Sequence, residues 1–363
     1  MLNVQKFLKD GGTLDALSKE PYNLKIRDYP EEGLVVLNYN QIDSPKTDPI
    51  IMECRGLILN RDTYEVVARS FDRFFNYGEG TSNYLKSIND AIVFDKIDGS
   101  LITCYHHNGK WNVATRSMAF AEGENGFGRS YRSVFDKAFD INKLTDDMTD
   151  YTFVFELVSP ETRVVTPYSD YKVYLLTIRD KRTGLELDYG NVLHASKLLG
   201  VDMPNTYNLN SFEEVIENAS KLPALEEGYV CKWADGFRLK IKNPSYLAIA
   251  HLRENGVLSE SRVIKLVMEN DHEEYLSYFG EDRPLFQPYI DAHKVMLDKI
   301  NEVWYKYKDI ESQKDFALAV NEHGYMSSVL FKKRKMMDKS ISDIISDMSE
   351  NMQERLLKCF VRR

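Results

Sequence analysis

Short turn sequences set between alternating apolar runs dominate the first two thirds of the chain and constrain its fold most strongly. Asn108-Gly109 separates the runs LITCYHH and KWNVATR, and Asp235-Gly236 separates GYVCKWA from FRLKIK. Such pairs favour tight hairpins, because a type I′ turn requires positive φ at both central residues. Two further strand-like runs, YTFVFELVS and YKVYLLTIRD, lie between these hairpins. The pattern therefore predicts an antiparallel β-sheet.

Helical periodicity replaces this pattern near residue 244. The segments SRVIKLVMEN, PYIDAHKVMLDKINEVWYKYKD, KDFALAVNEH and ISDIISDMSENMQERLLKCFV repeat apolar residues at helical spacing. Shorter helical patterns interrupt the sheet region at about 122–140 and 211–220. Pro244 disfavours helical geometry in the preceding residue and can open the helix that follows. We predict an α+β protein with an N-terminal antiparallel-sheet domain at 1–244 and a separate all-helical C-terminal domain at 245–363.

The composition is that of a globular protein and excludes several classes. Hydrophobic residues make up 43% of the chain, yet no run approaches the roughly 18 apolar residues of a membrane helix. The opening MLNVQKFLKDGG lacks the apolar core of a signal peptide, so we expect a cytoplasmic protein. The 4 cysteines lie far apart, which predicts reduced, mostly buried thiols rather than a zinc site or disulfides. The net charge of −9 argues against coating nucleic acid by bulk electrostatics, although local basic patches remain compatible with it.

Lys96 is the candidate nucleophile. It lies in FDKIDGS, residues 94–100, after the apolar run AIVF and before a predicted strand, so a turn fixes it at a strand end. Covalent work requires a lysine pKa lowered by desolvation or by neighbouring cations, which several basic residues converging on one pocket would supply. The alternative is an exposed turn lysine, because a KxDG motif alone recurs by chance.

A cationic strand face is the candidate phosphate site. Strand alternation in FRLKIK, residues 237–242, places three apolar side chains on one face and Arg238, Lys240 and Lys242 on the other. These cations repel one another without partners. The face is therefore either solvated or in contact with a polyanion such as a nucleotide phosphate.

Two glutamates occupy apolar strand contexts. Glu156 shares a strand face with Val154 and Val158, and Glu227 ends the loop that leads into GYVCKW. A carboxylate among valines is costly unless it meets a cation, a metal or a donor-rich ligand. Paired carboxylates beside a lysine cluster indicate a metal–phosphate site, and the alternative for each is a salt bridge.

Arginines beside aromatic residues are candidate nucleotide contacts. Arg55 precedes a glycine in ECRGLIL, and Arg73 lies beside Phe74 and Phe75 in SFDRFFNYGEG. Such arginines recognise a base or a phosphate, or simply pack on the surface. The basic cluster FKKRKMMDK at 331–339 contacts nucleic acid or forms a solvated helix end.

Taken in order, these segments resemble the covalent nucleotidyltransferase superfamily, and most closely the bacteriophage RNA ligase 1 family. The resemblance spans nearly the whole chain. The matching segments are KIDGS at 96–100 with the nucleotidyl-lysine motif, FELVSP at 155–160 with the acidic strand motif, EGYV at 227–230 with the next motif, LKIK at 239–242 with the final lysine pair, and ECRG at 53–56 and FFN at 74–76 with the RNA ligase 1 branch.

This resemblance implies an ATP-dependent RNA ligase with an N-terminal nucleotidyltransferase domain and ATP and Mg²⁺ as cofactors. Lys96 would attack the α-phosphate of ATP, AMP would pass to an RNA 5′-phosphate, and a 3′-hydroxyl would displace it. The helical C-terminal domain, where DNA ligases carry an OB-fold barrel, implies RNA specificity and makes nicked tRNA a candidate substrate. We expect a monomer that acts away from membranes in the cytoplasm, which is the host cytoplasm if the gene is phage-encoded.

The resemblance also assigns roles to single residues. Lys96 would be catalytic, Glu156 and Glu227 would bind the metal, and the field of the site would keep part of Lys96 unprotonated. Arg73 and Arg116 stand where the family often has lysine, so the charge is kept with a different hydrogen-bonding geometry. The implied ATP-binding residues are Arg55, Arg73, Phe75, Lys96, Arg116, Glu156, Lys240 and Lys242. Phe75 is a candidate adenine contact, with a core phenylalanine as the alternative.

Two other functions compete with this interpretation. A capping-type guanylyltransferase or a DNA-joining relative would prefer GTP or would seal duplex DNA nicks. A non-catalytic RNA-binding protein would keep the pocket as a relic, but retention of the lysine and both carboxylates speaks against it, because buried charges are costly without a role.

Overall fold

A computed structural model describes residues 1–41, 43–79, 86–124, 128–252 and 258–361. It divides into two units, Met1–His251 and Leu252–Arg363. The helix that begins at Pro244 therefore falls mainly within the first unit. Across the described ranges no helix is both long and apolar enough to cross a membrane.

The first unit is built on antiparallel sheets. Its described strands form three sheets in the orders β1-β2-β3-β4, β10-β9-β7-β8 and β11-β6-β12-β13-β5, and only β5 and β13 pair in parallel. This agrees with the predicted α+β class. The strands are β1 Lys25–Tyr29, β2 Leu34–Asn38, β3 Arg55–Asn60, β4 Val66–Ala68, β5 Phe75–Asn76, β6 Ala91–Asp95, β7 Ser100–His107, β8 Lys110–Thr115, β9 Tyr151–Val158, β10 Lys172–Asp180, β11 Thr206–Tyr207, β12 Gly228–Trp233 and β13 Arg238–Lys242.

The hairpins form where the turn dipeptides predict them. Asn108 and Gly109 have φ of 51° and 72° between β7 and β8, as a type I′ turn requires. In the β12–β13 hairpin Gly236 has φ of 85°, whereas Asp235 is not among the residues with positive φ. The first hairpin is therefore the predicted turn type, and the second is a hairpin with a single left-handed glycine.

Each sheet buries its apolar face against another layer. The first sheet lies between α1–α3 and the second sheet. The second sheet packs its opposite face against α4 and α5, and α6 covers the third sheet. The helices of this unit are α1 Asn3–Lys9, α2 Leu14–Ser18, α3 Pro49–Glu53, α4 Tyr131–Ala138, α5 Tyr189–Leu199, α6 Phe212–Lys221 and α7 Pro244–Leu252.

The second unit is helical over its described residues, as its periodicity predicts. The long helix α10 packs against α8, α11, α12, α13 and α14. The helices are α8 Glu260–Met268, α9 His272–Tyr278, α10 Arg283–Tyr307, α11 Gln313–Asn321, α12 Met326–Lys335, α13 Ile341–Ser346 and α14 Glu350–Lys358. The periodic run near the C-terminus is thus two helices, because Ser349 begins a new one after a break at Asp347 and Met348.

Two smaller predictions can be compared with the structure. All 4 cysteines are free thiols, and Cys359 is the one that is exposed. Part of the basic cluster at 331–339 is used internally, since Arg334 donates hydrogen bonds to the carbonyl groups of Ile310 and Glu311. The charge of this cluster is therefore only partly available to a partner.

Candidate active site

The first unit contains a cavity of about 500 Å³ lined by residues from all three sheets. Most of the residues singled out in the sequence line it. These are Arg55, Lys96, Arg116, Glu156, Glu227, Lys240 and Lys242. The sheets thus bring together, within one cavity, side chains that lie up to about half the chain apart in sequence.

The loop that follows β6 holds Lys96 at the cavity. The Lys96 amide donates to the carbonyl of Gly228 at 2.8 Å, which ties the loop to the start of β12. Buried Asp98 accepts hydrogen bonds from the amides of Val165 and Thr166 at 2.8 and 2.7 Å, and from the Tyr246 hydroxyl at 2.7 Å. The aspartate of the KxDG motif therefore fixes the loop rather than facing a ligand.

Two motif glycines are required by close packing. A Cβ at Gly99 would lie 2.5 Å from the carbonyl oxygen of Leu157 on β9. Gly228 has φ of 132°, and a Cβ there would lie 2.2 Å from the carbonyl oxygen of Ile241. No side chain fits at either position, so each glycine lets a backbone segment of the site approach its neighbour.

Glu227 joins the candidate nucleophile to the final lysine of β13. Its carboxylate, only 6% exposed, accepts from Lys96 Nζ at 2.6 Å and from Lys242 Nζ at 2.9 Å. Burial opposes the ammonium form of Lys96, but the charges of Glu227 and Glu156 outweigh it and hold the pKa of Lys96 above its usual value. The surroundings of Lys96 therefore favour its ammonium form in the protein without ligand, and the effect of a magnesium ion on this amine stays a prediction.

Lys240 is a cavity lysine whose ammonium form is destabilised by its surroundings. Burial, together with the positive charges of Lys96 and Arg55, lowers the pKa of Lys240 to about 7. Its ammonium group lies 5.0 Å from the centroid of the Phe74 ring, inside the cavity. The convergence of cations thus acts on Lys240, which forms no ion pair with a carboxylate in the described part of the chain, and an incoming phosphate would favour its charged form.

Glu156 is the carboxylate left available in the cavity. Burial raises its pKa to about 7, although the positive charge of Lys96 opposes this. Among the described residues no hydrogen bond or ion pair holds this carboxylate, in contrast to Glu227. The described residues also contain no group of three or more His, Cys, Asp or Glu that could hold a metal ion. A divalent cation here would need water or phosphate oxygens to complete its coordination, which is how proteins commonly hold Mg²⁺.

Arg55 and Arg116 also line the cavity. The Arg55 guanidinium lies 5.0 Å from the Phe74 ring, and its buried Nη1 has no hydrogen-bond partner among the described residues. Gly56 has φ of 72°, and a Cβ there would lie 3.0 Å from the Cα of Arg116. The small residue after Arg55 therefore lets the backbone at Arg55 and Arg116 approach closely, and Arg55 keeps a buried donor without a partner among the described residues.

Arg73 and Phe75 do not line the cavity. Phe75 is 7% exposed, and the Arg73 guanidinium lies 5.0 Å from its ring and 4.9 Å from the ring of Tyr39. Arg73 also lies 3.4 Å from a carboxylate oxygen of Glu79. This placement fits the alternative of a core phenylalanine, while the aromatic residues that line the cavity are Phe71, Phe74, Phe94 and Tyr131.

Asn243 anchors the loop that carries Glu227. Its fully buried side-chain amide donates to the carbonyl groups of Pro223 and Glu226 at 2.9 and 3.1 Å, and its oxygen accepts from the amide of Ser245 at 3.0 Å. The Asn243 backbone amide donates to the Glu227 carbonyl at 2.9 Å. One side chain thus fixes the loop before β12 against the start of α7.

A second buried carboxylate was not found by sequence reasoning. Glu186, 5% exposed, accepts two hydrogen bonds from Arg238 at 2.7 and 2.6 Å, and lies 2.9 Å from Lys232 and 3.0 Å from Arg179. Lys232 and Arg238 line the cavity. Arg238 could have been recognised from strand alternation, but Glu186 lies in a loop without a periodic pattern and meets these partners only through the tertiary fold.

Comparisons with known proteins identify the family of the chain. The sequence profile of the RNA ligase family matches residues 53–246, more than half of the chain. One relative is a protein of Autographa californica nuclear polyhedrosis virus that is named as a bifunctional polynucleotide kinase and RNA ligase. It is 33% identical over 319 residues, which cover 82% of this chain and 45% of that protein. The RNA ligase of Rhodothermus phage RM378 is 22% identical over 330 residues, covering 72% of this chain and 74% of the phage protein.

Similarity to solved structures is more distant. An RNA ligase of Naegleria gruberi, solved with ATP and Mn, has a TM-score of 0.36 and 18% identity, covering 44% of this chain and 51% of that one. This likeness carries no argument about the present site. The chain spans about half the length of the viral relative. The family profile spans the nucleotidyl-lysine, acidic-strand and final-lysine segments of the sequence. On this match, the chain belongs to the RNA ligase family.

Proposed function

We propose that the protein is an ATP-dependent RNA ligase that works through a lysyl-AMP intermediate on Lys96. The observation that carries the proposal is the ion-paired Lys96–Glu227–Lys242 cluster inside a cavity that also holds Lys240, Glu156 and three arginines. A cavity this rich in cations favours a polyanion, and Lys96 is the side chain whose pairing can open to release a nucleophile.

In the first step the Lys96 amine attacks the α-phosphorus of ATP. A P–N bond forms, the bond from the α-phosphorus to the bridging oxygen breaks, and pyrophosphate leaves together with a proton from the amine. Lys240 and Lys242 lie on the same strand face and would donate hydrogen bonds to the α-phosphate oxygens as negative charge grows there. Before the attack, Lys96 must leave Glu227 and lose a proton.

The acidic residues suit a hard divalent cation. Glu156 offers a carboxylate that no hydrogen bond or ion pair holds within the described ranges, and binding of a cation would favour its ionised form. Conversion of Lys96 to a phosphoramidate removes its positive charge, which frees the Glu227 oxygen that Lys96 occupies in the free protein. We assign Mg²⁺ to these two carboxylates, where it would neutralise charge on the transferring phosphoryl group.

The second and third steps move AMP to RNA and then release it. An oxygen of the RNA 5′-phosphate attacks the lysyl-AMP phosphorus, forming a P–O–P bond, and the Lys96 amine leaves and takes up a proton. A 3′-hydroxyl then attacks the 5′-phosphorus, loses its proton and expels AMP. We propose RNA carrying 5′-phosphate and 3′-hydroxyl ends as the substrate.

Covalent labelling tests the central step. The purified chain is incubated with Mg²⁺ and α-labelled ATP or GTP without RNA, and the products are separated under denaturing conditions. We expect label from ATP in the wild type and in Lys137→Ala, a control at a lysine that pairs with Glu161 outside the cavity, and none in Lys96→Ala. Label from GTP alone would replace the proposal with capping chemistry, and no label from either nucleotide would favour an RNA-binding protein.

We further propose nicked tRNA as the physiological substrate. The support is the helical second unit, which carries a basic helix end at α12 in place of an OB-fold pattern. Ligation rates on a tRNA broken in its anticodon loop and on an unstructured oligonucleotide of equal length would be compared. Equal rates on the two RNAs would contradict the proposal.

A further inference from the structure

A second cavity, of about 650 Å³, lies in the first unit apart from the candidate active site. The described linings of the two cavities share no residue. The second cavity is bordered by α1, β4, the start of β9 and the turn at 180–184 that follows β10. Its volume is that of cavities that hold small ligands in proteins, so the chemistry of its lining decides what it would bind.

Cations outnumber carboxylates around this second cavity. The charged residues in its lining are Lys9, Arg69, Arg179, Lys181 and Arg182 against Glu65 and Asp180. Glu65 is already paired with Lys9. One oxygen of Asp180 accepts hydrogen bonds from the amides of Arg182 and Thr183 at 2.8 and 2.9 Å, which engages it in its own turn. The lining therefore presents an excess of positive charge to a ligand.

Two of these cations keep unused donors. Arg69 donates to Asp72 through Nε and Nη2, whereas its Nη1 donates to no described residue. The Lys181 ammonium lies a long 3.5 Å from the carbonyl oxygen of His106 and pairs with no carboxylate in the described ranges. Burial lowers the pKa of Lys181, although the charge of Asp150 opposes this. Both side chains therefore have hydrogens to donate to an anion.

A buried hydroxyl adds a third donor. Thr152 is fully buried, and its Oγ1 has no hydrogen-bond partner among the described residues. On β9 it pairs with Tyr105 and Arg179, and paired residues share a sheet face. Tyr105 packs between the first two sheets, so Thr152 faces the sheet whose strand β4 borders the cavity. A buried hydroxyl without a partner is costly, and a ligand oxygen would relieve that cost.

Two guanidinium groups lie close together at this cavity. Burial and the positive charge of Arg69 lower the pKa of Arg179 to about 10. Arg179 is fixed in place by Glu186 at 3.0 Å, and by the carbonyl groups of Ser70 and Gly184 at 3.0 and 2.6 Å. Because like charges repel, an anion in the cavity would stabilise this arrangement.

We propose that the second cavity binds a phosphate group through Arg69, Lys181 and the Thr152 hydroxyl. The three donors come from three separate segments of the chain, which suits the several oxygens of a tetrahedral oxyanion. The group belongs either to the RNA backbone or to a free phosphate compound, since both present the same kind of oxygen. The inference does not rest on the proposed function, because no residue of the candidate active site takes part in it.

Protection of Lys181 from acetylation tests the inference in the wild-type chain without ATP or metal. Inorganic phosphate, or an RNA oligonucleotide with hydroxyl groups at both ends, would be titrated at constant ionic strength. The acetylation rate of each lysine is then measured by peptide mass spectrometry. Lys137 serves as the internal control, because it lies on α4, which packs against the opposite face of the second sheet.

We expect at least one probe to slow the acetylation of Lys181 with a saturable midpoint and to leave that of Lys137 unchanged. A lower midpoint for RNA, expressed per phosphate, would assign the site to the RNA backbone. A lower midpoint for inorganic phosphate would assign it to a free phosphate compound. Equal acetylation of Lys181 with and without both probes would overturn the inference.

Two variants distinguish a phosphate contact from simple coverage of Lys181 by a bound molecule. Arg69→Met should raise the midpoint about 10-fold, the value of one charge-assisted hydrogen bond. Thr152→Val nearly keeps the side-chain shape and should raise the midpoint about 5-fold. It should not lower the melting temperature, because the hydroxyl has no partner among the described residues. An unchanged midpoint in both variants, or in Thr152→Val alone if Arg69→Met does not fold, would also overturn the inference.

Discussion

Glu227 and Glu186 are both buried carboxylates that hold cations of the same cavity, yet they are built differently. Glu227 meets two lysines whose side chains remain 20% and 25% exposed. Glu186 meets two arginines and a lysine that are 6–14% exposed, and it also accepts from the Thr177 hydroxyl at 2.8 Å. The Glu227 cluster consists of flexible lysine side chains that reach the cavity. The Glu186 cluster is held mainly by the planar guanidinium groups of two buried arginines.

This difference distinguishes the Lys96–Glu227 ion pair, which must break for the reaction, from the ion pairs of Glu186, which must stay intact. Lysine presents a compact charge on a flexible stem, whereas a bidentate arginine fixes geometry as well as charge. The burial of Glu186 would raise its pKa, but the arginines and the lysine outweigh burial and hold that pKa well below its usual range. One cavity therefore contains residues of a reactive ion-pair cluster and of a structural one.

The largest effect is expected from a substitution that removes the nucleophile but preserves the positive charge beside Glu227. Lys96→Arg keeps a cation beside Glu227, but a guanidinium does not lose its proton and cannot attack phosphorus. Labelled adduct from ATP should fall by on the order of 10⁴-fold or more. The melting temperature should change little, and Lys137→Arg should label normally. Adduct formation at a tenth of the wild-type rate would exclude Lys96 as the nucleophile.

The next effect compares the two carboxylates directly. Glu186→Ala leaves three buried cations without their counter-charge and should destabilise the fold by about 3–5 kcal/mol. Glu227→Ala should cost about 1 kcal/mol, because Lys96 and Lys242 can turn toward water in the cavity. Denaturant unfolding of both variants measures the difference. Equal losses would show that the two clusters do not differ in the way their exposure indicates.

A smaller effect concerns pH. Glu227 raises the pKa of Lys96, so the free amine is scarce at neutral pH and becomes tenfold more abundant with each added pH unit. The single-turnover rate of adduct formation at saturating ATP should therefore rise with pH by up to about 10-fold per unit. In Glu227→Gln the rise should shift to lower pH, because the anion that favours the ammonium form is gone. Identical profiles would contradict the assignment.

The smallest effect is expected from removing one hydrogen bond to Glu186. Thr177→Val removes the hydroxyl that donates to Glu186 but nearly preserves the side-chain shape. We expect a loss of about 1 kcal/mol in the free energy of unfolding, the usual size for one hydrogen bond. Covalent labelling by ATP should remain close to that of the wild type. A loss as large as that of Glu186→Ala would mean that the hydroxyl, rather than the arginines, holds the cluster together.

Much of the fold follows from local patterns, and the exceptions are short. The Asn108-Gly109 turn and the helical second unit were predictable because their signals lie within a few residues. The short helix at Pro49–Glu53 is one exception, and the Asp48 side chain caps it by accepting hydrogen bonds from the amides of Ile50 and Ile51. An apolar run of that length suits either structure, and only the cap decides.

The candidate site was predictable where it consists of residues with a recognisable spacing. Lys240 and Lys242 reach the cavity because strand alternation alone puts them on one face. Sequence could not reveal that Lys96 is paired with Glu227, since the two residues lie far apart in the chain and the pair reverses the expected protonation state. Nor could it reveal Phe75 as part of the core, because adjacent phenylalanines at 74 and 75 differ only in the face they take.

The anchoring role of Asn243 has a consequence for chemical ageing. An asparagine usually deamidates when the backbone nitrogen of the next residue attacks its side-chain carbonyl carbon. Deamidation of Asn243 would replace the amide donor by a carboxylate, which repels the carbonyl oxygens of Pro223 and Glu226. The next residue is Pro244, whose nitrogen carries no hydrogen and is closed to that route. The proline that opens α7 therefore also shields the amide that holds the Glu227 loop, and an old sample of the protein should keep this loop intact.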